Sequence, residues 1–556
     1  MPKFTLNGKE VQFTEGQTII QAAANAGVDI PHFCWHPSLS VSGNCRVCMV
    51  EVERIPKLVI ACSTIAAEGM VVNTRSEKTL AARNAVMEFL LINHPLDCPI
   101  CDEAGECKLQ DYAYKYSAGE SRFTEEKNNK KKRVALGPAV MFDGERCISC
   151  SRCIRFCDEI AGKNQLTLVK RGDRVTITTF PGKELDNPYS LNVTDICPVG
   201  ALTNRDFRFN SRVWDMSSTK TICSGCSRGC NTDVWVRSNE ILRITPRSNP
   251  DVNNFWMCDE GRLKTFRNVN AEDRVSGPQV RREGKLQKVT WDEAYSAAGE
   301  LKSYTKEDIA FIGSPEATVE DNYLLVKFAK SVFGIKHLSM LDHSVTGSGD
   351  EILIREDKSP NAVGAKMAGI ASENDELDFA GILNGIKNGK IRALYILEDS
   401  KLSEYPQLIE LLSKLDFLVV HAVNYSPLTK YANIVFPAAS YTEKNGVWVN
   451  FQGRAQRIRP AITTHETDRS IDGMSMSRLD KFGTKFDSWG NVNKVEARPS
   501  WKIIAGLMTI FGHKQKFSMA EEVFREMSDI IPAFKGENYD KIGESGAFIA
   551  GKPTAI

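Results

Sequence analysis

Residues 93–110 read NHPLDCPICDEAGECKLQ and hold three cysteines, Cys98, Cys101 and Cys107. Three thiolates fall one short of an ordinary four-ligand metal site, and the next cysteine, Cys147, lies far downstream. His94 stands four residues before Cys98, with Pro95 and Pro99 restricting the backbone around it. A lone loop histidine is ordinarily just solvated, yet imidazole can ligate cluster iron. The ligand count decides: with His94 the set is complete, and without it one position is open. Asp97, Asp102, Glu103 and Glu106 have no ligand-like spacing and read as a solvated loop face.

The same question recurs along the chain. Its 556 residues contain 16 cysteines, all at or before Cys258, so the last 298 residues contain none. A chain of this length is no small disulfide scaffold. Such clustering points to metal sites in a reducing compartment. Charge is balanced, with 71 basic and 70 acidic residues for a formal net of +1. That gives no reason to expect nucleic acid or an anionic membrane as a partner. The start, MPKFTLNGKE, has no apolar run resembling a secretory signal, and FLLI (89–92) and FLVV (417–420) are too short to span a bilayer. A soluble protein is expected.

Upstream, KFTLNGKEVQF (3–13) alternates about Asn7-Gly8, a strong hairpin signal. A helix is expected over 17–26, ended by Gly27. Then come Cys34, Cys45, Cys48 and Cys62, with only one close pair. That spacing suits a 2Fe–2S cluster in a shielded loop, whereas a zinc ribbon typically shows two close pairs. The hairpin–helix–cysteine-loop order resembles the β-grasp ferredoxins, although plant-type members have a shorter first gap. A second helix is expected over 77–92.

Downstream, Cys147, Cys150, Cys153 and Cys157 follow the bacterial ferredoxin pattern, in which the fourth cysteine serves another cluster. No partner run exists, only Cys197 followed by Pro198. One 4Fe–4S cluster is therefore assigned to Cys147, Cys150, Cys153 and Cys197, leaving Cys157 as a buried structural thiol. Cys223, Cys226, Cys230 and Cys258 make a further 4Fe–4S set. Every cysteine but Cys157 is then placed.

Together these four sets resemble the large iron–sulfur subunit family of respiratory complex I, the G subunit of the bacterial NADH:quinone oxidoreductase. The His-x3-Cys-x2-Cys-x5-Cys arrangement is the most specific of them. The resemblance implies that His94 is a true ligand. It also implies that electrons enter from flavin- and iron–sulfur-bearing NADH-oxidising subunits and leave toward a quinone-reducing module. The 223–258 site of such proteins is thought to lie off the main path. The location implied is peripheral, on the cytoplasmic side of the inner membrane, without membrane insertion.

The second half has relatives as well. GKLQKVTWDEA (284–294) and YANIVFPAASYTEKNGVWVNFQGRAQ (431–456) resemble segments of molybdopterin oxidoreductases. Doubly wound α/β layers are expected, with IRALYILEDS (391–400) as a buried parallel strand carrying a loop at its carboxyl end. With no cysteine after Cys258 and a shortened body, this half reads as a scaffold without molybdopterin. GSPEATVED (313–321) lacks the GxGxxG spacing of a nucleotide loop. KNNKKKR (127–133) reads as a solvated loop rather than a docking patch, and 465–500 as a surface insertion or partner-binding loop.

The expected fold is thus multidomain α+β and α/β. A β-grasp 2Fe–2S domain covers 1–76, and the 4Fe–4S segment with one histidine and three cysteines covers 77–120. A ferredoxin-like 4Fe–4S domain covers 121–213 and a molybdopterin-oxidoreductase-type 4Fe–4S domain 214–275. A truncated molybdopterin-oxidoreductase-like α/β domain without active site covers 276–556. The expected cofactors are one 2Fe–2S and three 4Fe–4S clusters, with no catalytic residue and no substrate site on this chain. The alternatives are an electron-input subunit of an NAD-linked formate dehydrogenase or hydrogenase, and, in another class, a zinc-stabilised assembly scaffold.

Overall fold

Asn7 and Gly8 both adopt positive φ, 51° and 79°, the backbone that a two-residue hairpin turn needs, and Lys3–Leu6 pairs antiparallel with Lys9–Gln12. So begins a computed structural model that describes residues 1–549 apart from 118, 336, 371–377, 398 and 470–493. The chain divides into two compact units, Met1–Trp214 and Asp215–Ile556.

In the first unit the hairpin joins a five-stranded sheet in the order Lys9–Gln12, Lys3–Leu6, Val71–Asn73, Met49–Val52, Val59–Ile60. Its central pair, Lys3–Leu6 with Val71–Asn73, is parallel. The helix Ile19–Asn25 starts at a capping box between Thr18 and Gln21 and is followed by Gly27 at φ 73°. Its Ile19 and Ile20 pack with Phe4, Leu6, Val50 and Val72 of the sheet. This is the expected β-grasp arrangement. The second expected helix runs Glu77–Ile92, capped by Ser76. Beyond it the elements shorten: a nine-residue helix Lys108–Tyr116, two four-residue helices Arg152–Arg155 and Asn192–Asp195, and small sheets.

The second unit opens with an antiparallel sheet of Ser217–Ile222, Asn231–Arg237 and Glu240–Pro246. Its main body is a seven-stranded sheet in the order Lys285–Lys288, Gln279–Arg282, Ile434–Pro437, Phe417–Ala422, Ala393–Ile396, Ile309–Ile312, Leu338–Ser339. The last five strands of that order run parallel. Alternate side chains serve opposite cores. Ile309, Phe311, Ala393, Tyr395, Phe417 and Val419 join one apolar cluster, and Ala310, Ile312, Leu394, Ile396, Leu418 and Val420 the other. A strand covered on both faces must be apolar throughout, which is why IAFI, ALYI and FLVV read as unbroken runs. The 391–400 stretch accordingly lies in mid-sheet, with Asp399 and Ser400 in the loop at its carboxyl end.

In GKLQKVTWDEA the strand Lys285–Lys288 leads through Thr290, capped with Glu293, into the helix Trp291–Ala298. The expected insertion over 465–500 falls largely on 470–493, outside the described residues. Among the described residues, no helix is long and apolar enough to cross a membrane.

Candidate functional site

The first cysteine set sits in the loop of the β-grasp sheet. Cys34, Cys48 and Cys62 are buried and Cys45 is half-buried. The Cys34 amide donates to Cys45 Sγ at 3.4 Å. The thiols adjoin in pairs, Cys34 with Cys45 and Cys48 with Cys62. The Cys45 thiol, donating, draws Cys34 down to about 5, and Cys48 likewise lowers Cys62, while Cys45 and Cys48 are themselves pushed up. From the helix Glu77–Ile92, buried Arg83 reaches beneath this loop, donating to Thr74 O at 2.9 Å and Met49 O at 3.3 Å.

The second set answers the stoichiometry of the 93–110 stretch. His94, Cys98, Cys101 and Cys107 line one cavity, together with Asp97, Gln110, Arg146 and Gly200. Burial, then the charges of Arg146 and Lys127, push His94 down to about 4, so its imidazole is neutral at physiological pH. A neutral ring is the ligating form. Burial drives Cys107 up to about 12; such thiols favour deprotonation only when a cation compensates the thiolate.

Two residues of this cavity are not legible in the spacing. A Cβ on Gly200 would lie 2.4 Å from Cys101 Sγ, so nothing larger than glycine fits beside the sulfur. Arg146 is buried, binds Asp97 Oδ2 through Nη2 at 3.0 Å, and leaves Nη1 without a hydrogen-bond partner. Only their positions, beside Cys147 and inside the CPVG of 197–200, hint at them.

Asp97 is therefore not the solvated carboxylate expected, because Lys132 also binds it at 2.7 Å. KNNKKKR likewise works within the fold. Lys127 Nζ meets Leu91 O and Ile92 O at the end of the preceding helix, Lys130 Nζ meets Val175 O, and Lys132 also pairs with Glu145. These side chains are wet but engaged, since helix-end carbonyls and buried carboxylates attract cations.

Cys147, Cys150, Cys153 and Cys197 line a second cavity with Phe142, Ile177, Val199 and Leu202. Ser149 and Ser151 take positive φ, 54° and 63°, which curls the cysteine run, and the Ser149 amide donates to Cys147 Sγ at 3.4 Å. Burial and mutual repulsion raise Cys153 and Cys197 well above the ordinary thiol range. Cys157 is buried but not among the residues lining that cavity. Two arginines tie this run to the first set. Arg155 Nη2 donates to Cys34 O at 2.5 Å and Cys150 O at 3.4 Å, while Arg152 reaches Trp35 O at 2.5 Å and Ile196 O at 3.1 Å.

In the second unit, Cys223, Cys226, Cys230 and Cys258 line a cavity with Met257, Leu353, Ile354 and Lys358. Amides of Gly225 and Gly261 donate to Cys223 Sγ at 3.4 Å and Cys258 Sγ at 3.3 Å. A Cβ on Gly261 would come within 2.9 Å of Cys223 Sγ. In all four places sulfur-rich donor sets, with amides aimed at sulfur or glycines that a side chain would displace, suit an iron–sulfur cluster.

Comparison with known proteins matches successive stretches of the chain. Residues 2–77 match the 2Fe-2S iron-sulfur cluster binding domain, 83–122 the NADH-ubiquinone oxidoreductase-G iron-sulfur binding region, and 137–203 the ferredoxin-like domain of NADH-quinone oxidoreductase subunit 3. Residues 216–266 match the molybdopterin oxidoreductase Fe4S4 domain, and 274–358 and 358–471 molybdopterin oxidoreductase. The G subunit of NADH-quinone oxidoreductase from Rickettsia bellii is 40% identical over 333 residues, covering 60% of this chain and 48% of that protein. The mitochondrial NADH-ubiquinone oxidoreductase 78 kDa subunit of Candida albicans is 30% identical over 580 residues, covering 82% of this chain and 79% of that protein. Among solved structures, an NAD+-reducing NiFe-hydrogenase in its H2-reduced state is similar at 31% identity, with a TM-score of 0.35, over 38% of this chain and 91% of that one. The chain spans about half the length of the Rickettsia relative.

Proposed function

The chain belongs to the family of the NADH-quinone oxidoreductase G subunit and the mitochondrial 78 kDa subunit, and from that membership we propose that it is an electron-relay subunit of an NADH:quinone oxidoreductase. Its partners would be the flavin- and iron–sulfur-bearing NADH-oxidising subunits on one side and subunits leading to the quinone module on the other. Its place would be peripheral, on the cytoplasmic side of the inner membrane.

The residues that would hold a 2Fe–2S cluster are Cys34, Cys45, Cys48 and Cys62. Three 4Fe–4S clusters would fall to His94, Cys98, Cys101 and Cys107; to Cys147, Cys150, Cys153 and Cys197; and to Cys223, Cys226, Cys230 and Cys258. Cys157 would remain a structural thiol. Bound there, the clusters supply one-electron redox chemistry. The protein's own contribution is to exclude water, aim amides at sulfur and set charge. Neutral His94 brings one negative charge fewer than a thiolate, which favours the reduced state at that position. Buried Arg146 beside it acts in the same direction. We read the remainder of the second unit as a scaffold without molybdopterin.

The observation that carries this reading is the convergence of His94 with Cys98, Cys101 and Cys107 on one cavity floored by Gly200. The test is iron and sulfide analysis with low-temperature EPR of anaerobically purified, dithionite-reduced protein. About fourteen irons per chain are expected, from one two-iron and three four-iron clusters, and His94→Ala should remove or alter one 4Fe–4S signal. Zinc in place of iron, or signals indifferent to His94→Ala, would overturn the proposal.

A further inference from the structure

Three side chains that no cysteine set uses meet in the second unit. Glu316 follows the strand Ile309–Ile312, His343 follows Leu338–Ser339, and Asp399 follows Ala393–Ile396. These strands are neighbours and parallel, so their carboxyl ends open on one edge of the sheet, where ligands of α/β folds characteristically bind. One oxygen from each carboxyl group and one ring nitrogen of His343 lie within 4.8 Å of one another.

The arrangement is built rather than incidental. The side chains of His343 and Asp399 are fully buried, with Nε2 at 3.0 Å from Asp399 Oδ1. Amides of Lys401 and Leu402 also donate to that oxygen, at 2.9 and 3.1 Å. Glu316 is half-buried and accepts from the Ser400 amide at 3.0 Å. The Asp399 pairing occupies one ring nitrogen of His343. The other, Nδ1, is buried with no hydrogen-bond partner, an unmet polar group of the kind that native interiors rarely keep.

Charge is also out of balance. Two carboxyl groups share the space with one imidazole, so with both ionised the cluster is negative even when His343 is protonated. The loop cation Lys401 turns its ammonium to Glu404 at 2.9 Å. Asp357 adds further negative field at His343, and burial together with Asp399 raises Glu316 above the ordinary carboxylate range. A His–Asp ion pair accounts for Asp399, and the Ser400 amide and hydroxyl both donate to Glu316, but neither offsets the second carboxyl group or satisfies Nδ1.

We propose that Glu316, His343 and Asp399 form a binding site for a divalent first-row transition cation. One nitrogen and two carboxylate oxygens form the mixed N/O donor set that such ions accept. No thiolate is within the set, which separates this site chemically from the four cysteine sets. Three protein donors leave a coordination position open, and half-buried Glu316 is the side from which solvent reaches it.

The test is a Mn2+ titration of the complete, cluster-loaded chain, following the free ion by room-temperature EPR. One Mn2+ per chain is expected, released by Zn2+. Glu316→Gln keeps the shape and the Ser400 contact but removes a charged donor, and should weaken binding about tenfold or more. His343→Gln should abolish binding. Should His343→Gln fail to fold, Glu316→Gln decides alone. No Mn2+ uptake by the native chain, or uptake equal in native and Glu316→Gln proteins, overturns the site.

Discussion

The two units of this chain are held together by different means. In the second, four neighbouring parallel strands bury every residue, and two apolar clusters cover the faces of the sheet. In the first, residues 93–214 fold into mostly three- to five-residue elements between cysteine cavities, and buried arginines and paired carboxylates stand where a larger domain would place leucine. The lesson is that short elements hold donor groups and ion pairs among their apolar residues, where parallel strands such as Ile309–Ile312 and Ala393–Ile396 hold apolar residues alone. The sheet of the second unit draws its order from apolar area, whereas residues 93–214 combine apolar burial with ion pairs and with the cluster ligation proposed above. Each should fail when its own source is removed.

Removing iron gives the largest contrast. Structural zinc contributes on the order of 10 kcal/mol to small metal-bound domains, and cluster ligation as proposed above acts in the same sense. Anaerobic chelation should therefore open residues 93–214 to protease while a fragment containing the seven-stranded sheet survives. Equal digestion of both units would end the contrast. The complementary lesion is Phe311→Ala. Phe311 is fully buried and stacks on Tyr395 with ring centroids 5.2 Å apart. Its loss should cost about 3–5 kcal/mol, lowering the melting of the second unit while all cluster signals persist.

Acidity sharpens the comparison further. Burial raises Glu320 to about 7, although Tyr539 and the Val447 amide both donate to it. Folded Glu320 thus binds a proton more tightly than unfolded Glu320. Its effect on stability falls as pH rises from about 4.5 to about 7, by up to about 3 kcal/mol. Denaturant titrations at both ends of that window should show this slope in the native chain and lose it in Glu320→Gln. A slope shared by both proteins would assign it to another group. The smallest effect is Gly200→Ala, where a methyl pressed against Cys101 Sγ costs about 1–3 kcal/mol. It should shift the EPR signal of the His94 site and leave that of the Cys223 site unchanged.

These contrasts also separate what is legible in the sequence from what is hidden there. Cysteine spacing is local, so the runs 147–153 and 223–230 announce themselves. So do the Asn7-Gly8 turn and the helix Glu77–Ile92, which depend on neighbours in the chain. The distant Cys197 and Cys258, which line the same cavities as those runs, are reached only by counting. The network of Asp97, Lys132 and Arg146 leaves no local trace, and Asp97 reads as a wet loop residue, because its partners lie 35 and 49 positions away. Charge alone does not say which opposite charge it will meet. Glu316 and Asp399 lie inside the stretches GSPEATVED and IRALYILEDS, yet only strand order brings them to His343. Gly200 carries no signal beyond its place in CPVG, since a missing methyl has no pattern.

The arginines at 152 and 155 bear on how the first unit comes to order. Each grips backbone carbonyls on both sides, Trp35 with Ile196 and Cys34 with Cys150. Fixing the earlier loop therefore fixes the guanidinium groups that position the later one, and the rotamer entropy of two long side chains is lost once rather than twice. Two neighbouring loops clamped in this way would mature as a pair: with clusters seated as proposed, whichever loop is filled first would leave the other already shaped for its own inorganic core.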